Sequence, residues 1–214
     1  MMISKRVSPR RWAWRSLLLV AILAAPAAYS EVIPTDPGDT DPGTLLGNYL
    51  AGRVARGNHD TSAAADFYSK ALAGDPKNEV ILEQAFLLET AAADWGSAIE
   101  LAEELVKVEP SHRIAQFLLG IHAFKQGDFA GADEHFAAAR QGPIADLTST
   151  LARAWVEEAA GKHNKAFATL DTLSSADWAQ YYQRYHRALI ADIAGRHQLA
   201  RQSYIEAFKR NPGT

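Results

Sequence analysis

The sequence predicts an all-α fold, a solenoid of about five helix–turn–helix units. Three observations carry this expectation. The apolar residues are mainly Ala and Leu, with β-branched residues sparse, which favours helices over strands. Residues of one type recur 34 positions apart along most of the chain. Each recurrence falls where a two-helix unit needs that residue type.

The recurrences form four ladders in one phase. Ala64, Ala98, Ala132, Ala166 and Ala200 are spaced by 34, and so are Gly127, Gly161 and Gly195. Asp60, Asp94 and Asp128 keep the same spacing; Pro76 and Pro110 do too, with Pro212 three periods on and Pro143 one residue out of its slot. A fixed period in the range of 20–50 residues is the mark of a repeat architecture. With the unit start at Leu45, the units are 45–78, 79–112, 113–146, 147–180 and 181–214.

Each element of the unit follows from its residues. Helix A runs about thirteen residues and ends at the fifteenth position, where three units carry glycine, suited to a left-handed helix end. The sixteenth position is Asp in three units, placed to cap helix B and to sit at its positive end. The twentieth is Ala in all five, small enough for helix B to lie close on helix A. Across from it, the eighth position holds Gly52, Phe86, Gly120, Ala154 and Ala188; the twenty-fourth supplies Tyr68, Ala102, Phe136, Leu170 and Tyr204. The prolines follow Asp75, Glu109 and Asn211, where the pre-proline residue resists the helical region and ends helix B.

This pattern resembles the tetratricopeptide repeat family. That family's unit has small residues at its eighth and twentieth positions, an aromatic at the twenty-fourth, alanine at the twenty-seventh and proline at the thirty-second. The twenty-seventh here reads Ala71, Leu105, Ala139, Leu173 and Ala207. The resemblance covers all five units. It departs from the family at the fourth position, where Asn48, Leu82, Gln116, Thr150 and Arg184 replace the expected Trp, and in unit 4, which lacks the proline and carries Arg153 at its seventh position.

The resemblance implies a right-handed superhelix whose concave face, lined by helices A, takes an extended or helical segment of a partner. It assigns the second, fifth, ninth and twelfth positions to that groove. The expected partner-binding residues are Tyr49, Arg53, Arg56, Phe117, Phe124, Trp155 and Tyr185. They form an apolar and aromatic middle with basic residues in unit 1 and acidic ones, Glu158 and Asp192, in units 4 and 5. Aromatics at helical spacing also suit the core between repeats, so both placements stand open for Phe117, Phe124 and Trp155. The family's carboxylate-gripping Lys and Asn at the fifth and ninth positions of unit 1 are replaced by Tyr49 and Arg53, so that specificity is not carried over.

The N-terminal residues read differently. Lys5, Arg6, Arg10, Arg11 and Arg15 form a basic head, Leu17 to Ala25 is an unbroken apolar run, and small residues follow Pro26. This is the order of a secretory signal peptide, 1–30, with cleavage expected after Ser30 or Ala27. The apolar run falls short of the ~20 residues that span a bilayer. An uncleaved anchor to the inner membrane, facing the periplasm, is the alternative. Residues 31–44, EVIPTDPGDTDPGT, read as a Pro-, Gly- and acid-rich linker. The expected location is therefore periplasmic in a bacterial envelope. Beyond the five basic residues of 1–30, 17 basic and 25 acidic residues remain, a formal charge of −8. That balance does not suit nucleic acid or an anionic membrane surface.

No catalytic pattern stands out. The chain has no cysteine, which excludes disulfides, thiolate catalysis and Cys-ligated zinc. None of its seven histidines falls in H-E-x-x-H, and G-x-S-x-G, phosphate-loop and dinucleotide fingerprints are absent. The expected function is a non-catalytic scaffold or adaptor for an envelope protein, with no cofactor and no metal. Self-assembly is a second expectation, because Ile205 and Phe208 on the last helix would lack a following helix A. A third is that the chain is the N-terminal part of a longer exported protein.

Overall fold

The computed structural model describes residues 43–173 and 176–210. The signal-peptide reading of 1–30, the linker as far as residue 42, and Pro212 lie outside the described residues. Those residues form ten α-helices and no strand: α1 Leu45–Gly57, α2 Thr61–Gly74, α3 Glu79–Ala92, α4 Trp95–Val108, α5 Arg113–Lys125, α6 Phe129–Ala138, α7 Pro143–Ala159, α8 His163–Leu170, α9 Asp177–Ile193 and α10 His197–Phe208. Each helix packs on the next in sequence, and α7 also touches α5 and α9. This is the expected α-solenoid, with odd-numbered helices as A and even-numbered as B.

The turn from A to B is the most regular part of the fold. Its fifteenth-position residue has positive φ in all five units: His59 at 60°, Ala93 at 61°, Gly127 at 80°, Gly161 at 73° and Gly195 at 72°. Two units thus hold a left-handed backbone without the glycine that makes it cheap. The next residue's amide then reaches back to helix A in every unit: Asp60 to the carbonyl of Ala55, Asp94 to Glu89, Asp128 to Ala123, Lys162 to Glu157 and Arg196 to Ala191, at 2.7–3.1 Å. That reach-back is a Schellman-type closure, which satisfies a carbonyl the helix end would otherwise strand.

The start of helix B follows the Asp ladder. Asp60, Asp94 and Asp128 accept from the amides of Ala63, Ser97 and Gly131. Lys162 and Arg196 make no such cap. In those two units the following histidine ties the turn instead. His163 Nδ1 stands 2.8 Å from Glu158 Oε2, and His197 Nδ1 3.0 Å from Asp192 Oδ1. These pairs are also 34 residues apart, a second solution to one local problem.

Helices A and B of a unit meet through complementary sizes. The five ladder alanines are buried. A β-carbon on Gly52 would stand 2.6 Å from Tyr68 Cδ2, and one on Gly120 would stand 2.7 Å from Phe136. Unit 2 reverses the pair: Phe86 is fully buried and faces the small Ala98 and Ala102 in one cluster with Leu82 and Leu105. The core is a row of such clusters, one continuing into the next through Leu72 and Leu101.

Two helices A depart from the thirteen- or fourteen-residue length of the other three. Both α7 and α9 have 17 residues, and the preceding helices B are short, with 10 in α6 and 8 in α8. Residue Pro143, out of phase in the sequence, is the reason at α7. It does not end a helix B; it opens the next helix A at the first helical position, where a missing N–H costs nothing. Gly142, at φ 87°, precedes it. The helix therefore begins four residues ahead of Leu147.

Candidate functional site

The second, fifth, ninth and twelfth positions of helices A share one face of the solenoid. Along α5 this face is the most open and apolar. Ile114, Ile121 and Phe124 are exposed, and Phe117 is half-buried. A cleft of about 470 Å³ runs beside them. Its far end is formed by Thr90 of α3 and Trp95, the first residue of α4. Its other side is α7, with Thr148 and the two residues after Pro143, Ile144 and Ala145. Arg113 is the one charged residue lining it. Ser149 also lines the cleft; it is fully buried and its Oγ makes no hydrogen bond among the described residues.

The sequence-expected groove residues fall into two groups. Arg53, Arg56, Phe124 and Tyr185 are open to solvent. Arg53 lies over the Tyr49 ring at 5.9 Å, and the Arg56 guanidinium donates to Gln84 Oε1 of the next helix A. Phe124 tilts against Phe129 at 5.8 Å. Tyr185 stacks on Tyr181 and meets Tyr204 edge-on. The others are half-buried and pack against neighbouring helices. Tyr49 packs edge-on to Tyr68, and Phe117 tilts on Phe136 at 5.0 Å. Trp155 donates its indole N–H to His186 Nδ1 at 2.9 Å, joining α7 to α9.

That last bond fixes a protonation state. Indole can only donate, so His186 Nδ1 must be a bare acceptor. Burial pushes the His186 imidazole below its ordinary value of 6.5, which keeps it neutral. At the α6–α7 joint, Arg153 donates Nε to Asp133 Oδ1 at 2.6 Å. The guanidinium holds the Asp133 carboxyl below the usual carboxylate range. Arg153, the residue that marked unit 4 as a poor repeat, is thus a tether between units.

Cleft residues Trp95, Ile144 and Ser149 were not marked by the repeat frame. Trp95 opens a helix B, and Ile144 reads as inter-repeat loop in an even 34-residue frame. Only the misplaced Pro143 hinted that a helix starts there. Among the described residues no group of three or more His, Cys, Asp or Glu side chains is placed to hold a metal ion, and no helix is long and apolar enough to cross a membrane.

Comparison with known proteins agrees with this geometry. The family model described as tetratricopeptide repeat matches residues 85–145. Residues 85–145 carry the tetratricopeptide repeat signature. Its helices superpose on the solved MamA protein with a TM-score of 0.65 at 19% identity, covering 81% of this chain and 92% of that one. They superpose on YrrB, described as a TPR protein with an unusual peptide-binding site, with a TM-score of 0.63 at 13% identity, covering 84% and 92%. A tetratricopeptide repeat protein from Parabacteroides merdae gives 0.60 at 20% identity, covering 85% and 70%. At these identities the likeness is one of fold. No curated protein sequence matches.

Proposed function

We propose that this chain is a non-catalytic scaffold that binds a protein partner on the helix-A face of its tetratricopeptide solenoid, in a bacterial cell envelope. The observation that carries the reading is the cluster of exposed apolar side chains along α5, Ile114, Ile121 and Phe124, beside an open cleft. Apolar surface gathered in one place on a helical scaffold is a recurrent mark of a docking site. The fold neighbour YrrB is described by a peptide-binding site, and a peptide segment is the class of ligand proposed here. Export into the envelope is supported by the basic head and apolar run of residues 1–30.

Affinity capture from an envelope fraction tests this, with the full chain as bait. The control carries Ile114→Asp, Ile121→Asp and Phe124→Asp at three exposed positions, with a thermal melt to show that it is folded. Proteins retained by the wild type and lost by the control are the expected result. An identical set from both baits would remove the groove from the function.

A second reading, self-association, has its own observation. Val54 on α1 is 64% exposed, whereas its equivalents Leu88, Val156 and Ile190 are buried by the preceding repeat. Phe208 on α10 is likewise exposed, whereas its equivalents Leu72 and Val106 are half-covered. Sedimentation velocity of the full chain and of Val54→Asp/Phe208→Asp separates the two readings.

A further inference from the structure

We infer that the cleft along α5 is the anchor site of the partner, and that it takes a short peptide segment carrying large apolar side chains next to a carboxylate. This rests on the groove reading above and names the ligand of that groove.

The apolar part follows from what surrounds the cleft. Trp95 is 54% exposed and Ile144 73%, and they face the open Ile114 and Ile121 across a hollow of ligand-pocket size. Ile144 is held there by the extra turn that Pro143 starts in α7, which the thirteen- and fourteen-residue helices α1, α3 and α5 lack. The site is therefore built by a departure from the repeat and not by the repeat itself.

The polar part follows from one side chain and the helix end it stands on. Arg113 is exposed at the first residue of α5 and has no carboxylate partner among the described residues. Its charge and the positive end of α5 both favour an anion at the mouth.

The same charge argues against the two end helices of a second copy as occupants. Their exposed apolar residues Val54 and Phe208 are flanked by cations: Val54 by Arg53 and Arg56, and Phe208 by Lys209 and Arg210. Either segment would set like charge against Arg113.

Selection of a random dodecapeptide display library on the full chain tests the inference. The expected peptides share two large apolar residues and an Asp or Glu. Ile144→Asp should weaken a selected peptide at least ~tenfold, as loss of a central anchor does. Arg113→Glu should turn the library's preference from acidic to basic residues. Both positions are exposed, and thermal melts should show each variant folded. No convergent peptide, or peptides indifferent to both substitutions, would overturn the inference. A dimer of the full chain dissolved by Ile144→Asp would also overturn it, by making a second copy the occupant. If envelope capture still depends on Ile121 and Phe124 in those cases, the scaffold reading stands and only the ligand assignment falls.

Discussion

Gly120 lies flat against the ring of Phe136, so close that a β-carbon there would stand 2.7 Å from both Cδ1 and Cε1. Alanine is the better helix former by up to about 1 kcal/mol, yet contact should win here. Overpacking a fixed aromatic costs about 1–3 kcal/mol. Gly120→Ala is expected to destabilise the protein, and Gly120→Ala/Phe136→Leu to recover part of the loss. Urea denaturation of the two variants reads the coupling; equal losses would mean that the ring moves freely aside.

Phe86 and Ala102 are the same pair reversed. Phe86→Ala removes a fully buried ring and should cost about 3–5 kcal/mol. Ala102→Phe alone should overpack. The exchange Phe86→Ala/Ala102→Phe restores both the volume and the arrangement of units 1 and 3. It should be more stable than either single variant, measured by thermal unfolding.

Ala93 holds φ at 61° on an exposed turn. Glycine there relieves a left-handed backbone strain of about 1–2 kcal/mol and gives some of it back as chain entropy. Ala93→Gly should therefore stabilise the fold by about 0.5–1 kcal/mol. Gly161→Ala, in a turn of the same shape, should do the reverse. Melting temperatures that move the same way for both would contradict the shared turn geometry.

His186 predicts a pH dependence. Its folded-state pKa lies below the ordinary value, so the unfolded chain binds more protons at mildly acidic pH. The contribution is fully present above about pH 6.5 and is lost as pH falls through the folded-state value. His186→Gln keeps an acceptor for Trp155 and does not titrate, so its stability profile between pH 7.5 and 5 should be flatter than that of the wild type. The Trp155 indole proton resonance should shift over the same range in the wild type only.

Asp133 acts at lower pH in the same sense. Its carboxyl is held down by Arg153, so its stabilising effect is fully present above the ordinary value of 3.8 and is lost as pH falls through the lower folded-state value. Asp133→Asn should loosen the α6–α7 joint at neutral pH, and wild type and variant should converge as pH falls through the folded-state value of Asp133. Hydrogen exchange in α6 and α7 would localise the change; a uniform loss along the solenoid would argue against a local tether.

The ladders of alanine, aspartate and glycine were legible because each residue type answers one local demand. The fifteenth-position turn was readable at Gly127, Gly161 and Gly195 but silent at His59 and Ala93, where the same backbone state carries no residue signal. Phe86 and Ala102 read as two odd residues until the helices are laid together and their sizes add. Helical spacing could not separate Phe124, which is open, from Phe117, which packs inside its own repeat, and Trp155, which ties two repeats, since all three share a face of helix A. Ile144 and Trp95 lay outside the frame because the cleft they form depends on where one helix starts, which periodicity does not encode.

The left-handed turns remain 34 residues apart even where α7 and α9 are four residues longer than α5. The A–B hinge therefore acts as a fixed milestone, and the joint from B to the next A is free to slide between milestones. Lengthening one helix at the expense of its neighbour changes the walls of a groove without moving any repeat out of step. A chain built this way can acquire a new binding contour by relocating a single proline, while every packing ladder that holds it together stays where it was.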